Sequence, residues 1–130
     1  MMDHFSSVNC RCISWDDFSE ENCHNKLSLV SINVRSLSNK FGELVGLLSS
    51  LKTKFTFIIL CETWLNETGD VGFEISGYKS TSLYRVGSMG GGIKIHYLEN
   101  IVVEEIGEYT GCFDSFESLF YKVYSANMGS

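Results

Sequence analysis

The chain has 130 residues, a net charge of −6 and no proline; 44% of its residues are hydrophobic and 20% are charged. Those values suit one globular domain and exclude an intrinsically disordered chain. The acidic balance argues against a broad basic nucleic-acid-binding surface, although a metal-dependent nuclease needs carboxylates of its own. No apolar run approaches the roughly 18 residues of a membrane-spanning helix. Met1–Ser7 offers neither a basic stretch nor an apolar core, so no secretory signal is visible. A cytoplasmic or nuclear setting with reduced cysteines is expected. The missing proline, against an average near 5%, suggests a piece of a longer chain.

Residues 1–25 show no clear period and are expected to form a loosely ordered leader. Trp15 and Phe18 among Asp16, Asp17, Glu20 and Glu21 allow a short amphipathic turn. Cys10, Cys12 and the Cys23-His24 pair invite a zinc reading, but Cys-x-Cys is not the usual knuckle spacing, and the leader reading is favoured.

Leu27–Val34 reads as a first strand, with Leu27, Leu29, Val30 and Ile32 facing a core and the polar Asn33 near its end. Ser36 or Ser38 is placed to cap a following helix. There Phe41, Leu44, Val45, Leu48 and Leu51 recur at three- and four-residue steps, one apolar stripe over about four turns. Gly42 and Gly46 weaken this helix by about 1 kcal/mol each relative to alanine, and Lys52 and Lys54 suit its C-terminal dipole. Phe55–Cys61 then reads as a strand buried on both faces. Strand, helix and strand in this order predict a βαβ unit with parallel strands. Its topology brings Asn33 and Glu62 to the same sheet edge, where α/β proteins hold ligands.

After the polar loop Asn66–Asp70, Tyr78–Arg85 and Ile93–Leu98 predict a hairpin around the turn cluster Gly87–Gly92. Ile93, Ile95 and Tyr97 share one face; Lys94, His96 and Leu98 share the other, with His96 expected at the surface. Ile101–Val103 and Ser118–Tyr124 predict two further short strands. The domain is expected to span 26–125, with 126–130 as tail.

Together these pieces resemble the endonuclease/exonuclease/phosphatase superfamily. The motifs are Ile32–Leu37 with Asn39–Phe41, Leu60–Leu65, Ser76–Tyr78, Arg85 with Gly90–Ile93, and Phe116–Leu119. The order and spacing resemble most the N-terminal half of a LINE-type (non-LTR) retrotransposon endonuclease domain, over about residues 27–124. The resemblance implies an α/β fold, a partial sandwich of βαβ followed by antiparallel strands. It also implies Mg²⁺-dependent phosphodiester cleavage of DNA. Glu62 matches the family's metal-ligating carboxylate and Asn33 its site asparagine; Arg85 and Lys94 are weaker candidates for contact with the nucleic-acid backbone. Mg²⁺ needs hard oxygen ligands, and one or two carboxylates plus water suffice. Cys61 is expected in the core and Trp64 beneath the site.

The family's later Gly-Asp-Phe-Asn-like turn and Ser-Asp-His-like motif do not occur after Ser118. The Asp–His pair of that last motif activates the attacking water, so the chain alone is expected to lack a general base and to be inactive. Half a sandwich would leave sheet edges and an apolar face uncovered, inviting self-association. The alternative is a non-catalytic retrotransposon remnant or interaction module.

Overall fold

Phe57–Cys61 (β2) is the central strand around which the other elements assemble. The structure is a computed structural model that describes residue 14 and residues 27–51, 54–87, 90–113 and 115–124. The candidate zinc cysteines, the leader apart from Ser14, Lys52 and the tail lie outside those residues. The described part is mixed α/β. Leu29–Asn33 (β1) is followed by Leu37–Ser49 (α1) and then β2. Tyr78–Leu83 (β3) and Ile93–Leu98 (β4) complete a four-stranded sheet in the order β1-β2-β4-β3. β1 and β2 are parallel, whereas β4 runs antiparallel to both β2 and β3. The βαβ unit and the hairpin thus form as their periodicities predict.

Beyond β4, Val102–Glu105 (β5) pairs with Tyr121–Tyr124 (β8), and Gly111–Cys112 (β6) pairs with Glu117–Ser118 (β7). The single strand expected over Ser118–Tyr124 is therefore split between two small sheets. A short 3-10 turn, Gly107–Tyr109, connects β5 to β6.

Alternation along β2 sends its side chains into two cores. Ile58 and Leu60, 1% and 0% exposed, join Leu37 and Leu44 of α1 on one face. Phe57 and Ile59 join Ile95, Ile101 and Tyr121 on the other. This two-sided burial is what an unbroken apolar strand demands. β1 behaves differently. Val30 and Ile32 pack toward α1, but Leu27 and Leu29 are 53% and 56% exposed and do not face a core. As an edge strand, β1 has neighbours on one side only, and nothing described covers its second face at Leu29.

Ser28 and Thr56 set the register where β1 and β2 begin. Each backbone N–H donates to the other's hydroxyl, at 3.1 and 3.2 Å. Where the strands end, the backbone takes over. Val34, Ser36 and Leu37 donate N–H bonds to the carbonyls of Cys61, Glu62 and Thr63, each at 2.9 Å. Two consequences correct the sequence reading. Ser36 occupies the N-cap position but makes no side-chain cap bond: its hydroxyl accepts from the Asn39 side-chain amide at 3.0 Å, and the Asn39 N–H goes to the Ser36 carbonyl. The last turn of α1 carries no basic residue, since the helix stops at Ser49, short of Lys54.

The segment 66–77 covers the α1-side face of the hairpin. Phe73 meets Phe41 edge-on at 5.3 Å between ring centres. Asp70 lies over β3 and β4, accepting bonds from Ser82 Oγ (2.6 Å), Tyr84 OH (2.6 Å) and Lys94 Nζ (2.9 Å). No helix among the described residues is long and apolar enough to cross a membrane.

Candidate functional site

The β1 and β2 ends and the start of β4 meet at one edge of the sheet. Asn33 pairs in register with Cys61, so Asn33 and the following Glu62 sit at neighbouring strand ends. Thr63 and Trp64 in turn donate their N–H groups to the carbonyls of Gly92 (3.3 Å) and Gly91 (2.9 Å). Residues 62–64 are thereby stitched to β1 on one side and to the glycine turn on the other.

This double attachment forces an unusual backbone. Among the described residues, four non-glycine positions have positive φ: Arg35 (45°), Ser36 (83°), Glu62 (57°) and Trp64 (57°). All four lie at this edge. Each left-handed non-glycine residue costs roughly 1–2 kcal/mol, and such strain gathers at functional sites because surrounding bonds over-determine it. Gly90, Gly91 and Gly92 are left-handed as well, at 87°, 70° and 92°. There glycine is required rather than merely tolerated, and the turn lets its neighbours approach closely.

The Glu62 carboxylate is aimed by this frame. Its Oε2 accepts the Trp64 indole N–H at 2.9 Å and the Gly91 N–H at 3.3 Å. The Trp64 bond, then the Gly91 bond, hold its carboxyl below the ordinary value; slight burial opposes them, and Arg85 and Arg35 assist. Glu62 is therefore ionised at neutral pH. Trp64 does not lie beneath the site as expected; it is 46% exposed and stands beside the carboxylate.

The other expected residues fare unequally. Asn33 is exposed, lines a shallow cleft of about 320 Å³ with Lys40 and Glu43, and its amide makes no hydrogen bond among the described residues. Arg85 donates Nε–H to Glu117 Oε1 at 2.6 Å and remains 38% exposed. Lys94, a weaker candidate for contact with the nucleic-acid backbone, is buried, and its ammonium donates to Asp70 at 2.9 Å and to Ser82 at 3.2 Å. The sheet face that carries it is covered by the 66–77 segment, which supplies Asp70. Cys61 is half-buried rather than a full core residue.

His96 corrects a further expectation, being fully enclosed rather than at the surface. Its Nε2 pairs with the Phe73 carbonyl at 2.9 Å, and its Nδ1 has no partner among the described residues. Burial pushes its pKa below the ordinary 6.5; the Phe73 bond opposes this, Lys94 adds to it, and Asp70 and Glu74 oppose it. Because the unfolded chain takes up this proton more readily, stability is complete above pH 6.5 and falls as the pH drops below that value. Urea midpoints between pH 7.5 and 5 should show this decline in the parent chain and a flatter profile in His96→Leu. An equal decline in the variant would locate the titration elsewhere.

Sequence reasoning missed Glu117 as a site residue. It sits on β7, yet its Oε2 accepts the Gly92 N–H at 2.9 Å. The only sequence signal was its place in the Phe116–Leu119 motif. A separate apolar cleft of about 300 Å³, between α1 and the 74–78 segment, shares no lining residue with this edge.

No family model, curated protein or solved structure matches this chain. The donor chemistry itself can still be tested against Mg²⁺. Glu62 Oε1 makes no hydrogen bond among the described residues, and the Asn33 amide oxygen is a second hard donor at the adjacent strand end. No group of three or more His, Cys, Asp or Glu that could hold a metal occurs among the described residues.

Proposed function

We propose that this edge serves Mg²⁺-dependent cleavage of phosphodiester bonds in DNA. In this reading the chain contributes the metal-ligating part of an endonuclease/exonuclease/phosphatase-type sandwich of the retrotransposon class. The observation that carries the proposal is Glu62 itself, a strained left-handed residue whose carboxylate is ionised, held at one oxygen and open at the other. A solvated strand-end glutamate would need neither the strain nor the two donors.

Bound here, Mg²⁺ would act as a Lewis acid toward a phosphate oxygen. Glu62 would supply the charged ligand, with Trp64 and Gly91 fixing its orientation in advance. Asn33 would hydrogen-bond a phosphate oxygen through its free amide. Hydrolysis also needs a general base. The Ser-Asp-His-like motif that would supply it does not occur after Ser118; His96 is enclosed, and Asp70 is engaged by Lys94.

The expected result for the isolated 130-residue chain is therefore divalent-ion binding without nicking. Mn²⁺ titration should show one site, weakened at least about tenfold in Glu62→Gln, on the scale of ligand-shell losses. Equal binding by parent and variant would remove the metal reading. Plasmid nicking in Mg²⁺ that Glu62→Ala abolishes would show that the chain holds a base after all.

A second reading, a non-catalytic interaction module, is favoured by one feature. Tyr109, Phe113, Phe116 and Phe120 are each about half exposed, at 56%, 49%, 58% and 50%. Aromatic exposure of this kind marks binding surfaces. Binding through that face would be indifferent to Glu62→Gln.

A further inference from the structure

We infer that Glu117 and Arg85 are positioning residues for Glu62: their ion pair grips the glycine turn, and the turn aims the carboxylate. Glu117 approaches Gly92 from 25 residues away. One oxygen takes the Gly92 N–H and the other the Arg85 Nε–H, so the carboxylate joins the turn to the guanidinium. Its side chain is 9% exposed. The pair also lies flat against Gly91, where a Cβ would sit 2.2 Å from Glu117 Oε1 and 2.5 Å from Arg85 Nε.

The consequence passes along the backbone. With Gly92 held by Glu117, the neighbouring Gly91 N–H points at Glu62 Oε2. The Gly91 carbonyl meanwhile holds the Trp64 backbone, whose indole donates to the same Oε2. Both donors to Glu62 thus depend on a turn whose position is set by Glu117. A buried carboxylate that accepts from a backbone N–H and an arginine together resists rotation. Arg85, in this arrangement, positions the turn through Glu117, in addition to the direct pull of its charge on Glu62, and does not itself need to meet a ligand. The geometric part of this inference stands without a metal; its effect on affinity rests on the Mg²⁺ reading above.

Two measurements on the 130-residue chain test it. The chain has two tryptophans, so Trp15→Phe leaves the Trp64 indole as a single Nε1–H resonance in ¹H–¹⁵N spectra. Without metal, that resonance should lie downfield, reporting donation to a carboxylate, and should move toward free indole in Glu62→Gln. Glu117→Gln and Arg85→Gln, each with Glu62 intact, should move it the same way. They should also weaken Mn²⁺ binding by about 10–100-fold, as loss of a ligand-orienting partner typically does. Lowered thermal stability with an unmoved Trp64 resonance in both variants would reduce the pair to a structural clasp and overturn the inference. A moved resonance in a chain that binds no Mn²⁺ would keep the positioning and overturn the metal reading instead.

Discussion

Asp70→Ala is expected to destabilise the fold by about 3–5 kcal/mol, the usual consequence of breaking a buried ion pair from one side. The side chains of Lys94 and Asp70 are only 6% and 7% exposed. Burial on its own would raise the Asp70 carboxyl, but bonds from Ser82, Tyr84 and Lys94 outweigh it and hold the group ionised. Without Asp70, two hydroxyls lose their acceptor and the Lys94 ammonium keeps only the neutral Ser82 hydroxyl, with no opposite charge beside it. The 66–77 segment would also lose its main polar attachment to β3 and β4. Against a total stability of about 5–15 kcal/mol, this is a large fraction. Urea unfolding should register it as a fall in midpoint. Adding Lys94→Met should recover much of the loss, because the cost lies in the uncompensated charge rather than in the absent attraction. A loss under about 1 kcal/mol would show the pair to be effectively solvated, as surface bridges are.

Gly92→Ala should cost about 2–5 kcal/mol, for two reasons that act together. Its φ of +92° is strained for any residue with a Cβ, and that Cβ would lie 2.5 Å from Thr63 Oγ1 and 3.4 Å from the Leu83 carbonyl. Thr63 is 1% exposed and β-branched, so it cannot swing away freely. Any shift of the turn would disturb the Glu117 bond on one side and the Thr63 and Trp64 bonds on the other. Gly42→Ala is the matched contrast. It lies within α1 with nothing within 4 Å of its added Cβ, and should gain about 1 kcal/mol through helix propensity. Thermal melts of both variants test the pair of expectations. Similar effects at the two glycines would mean that the turn is free to relax.

Local pattern revealed much of the frame. The stripe from Phe41 to Leu48 and the alternation from Ile93 to Tyr97 each have a period that one regular element satisfies, whereas the unbroken apolar run into Cys61 is marked as a strand by its short length and strand-forming residues. Their order then dictated a parallel βαβ unit and placed Asn33 and Glu62 at one edge. The same alternation misled at His96 and Lys94. A period of two says that they share a face, not whether that face meets water, and here the 66–77 segment covers it. It misled at Leu27 and Leu29 for the opposite reason: an apolar strand at the sheet edge lacks the cover that a central strand receives. The two-residue strands β6 and β7 are too short to have a readable period.

Local pattern therefore located β1 to β4 and the helix, and showed that a carboxylate follows the central strand. Tertiary structure decided how that carboxylate is held. Arg35, Ser36, Glu62 and Trp64 carry no local sign of a left-handed backbone, because the conformation is imposed by hydrogen bonds to segments far away in the chain. Glu117 joins the site only because the β6–β7 hairpin folds back onto the glycine turn. Periodicity is a local property and legible residue by residue, whereas the aim of the Glu62 carboxylate depends on contacts that exist only once β1, β2, β4 and β7 have met.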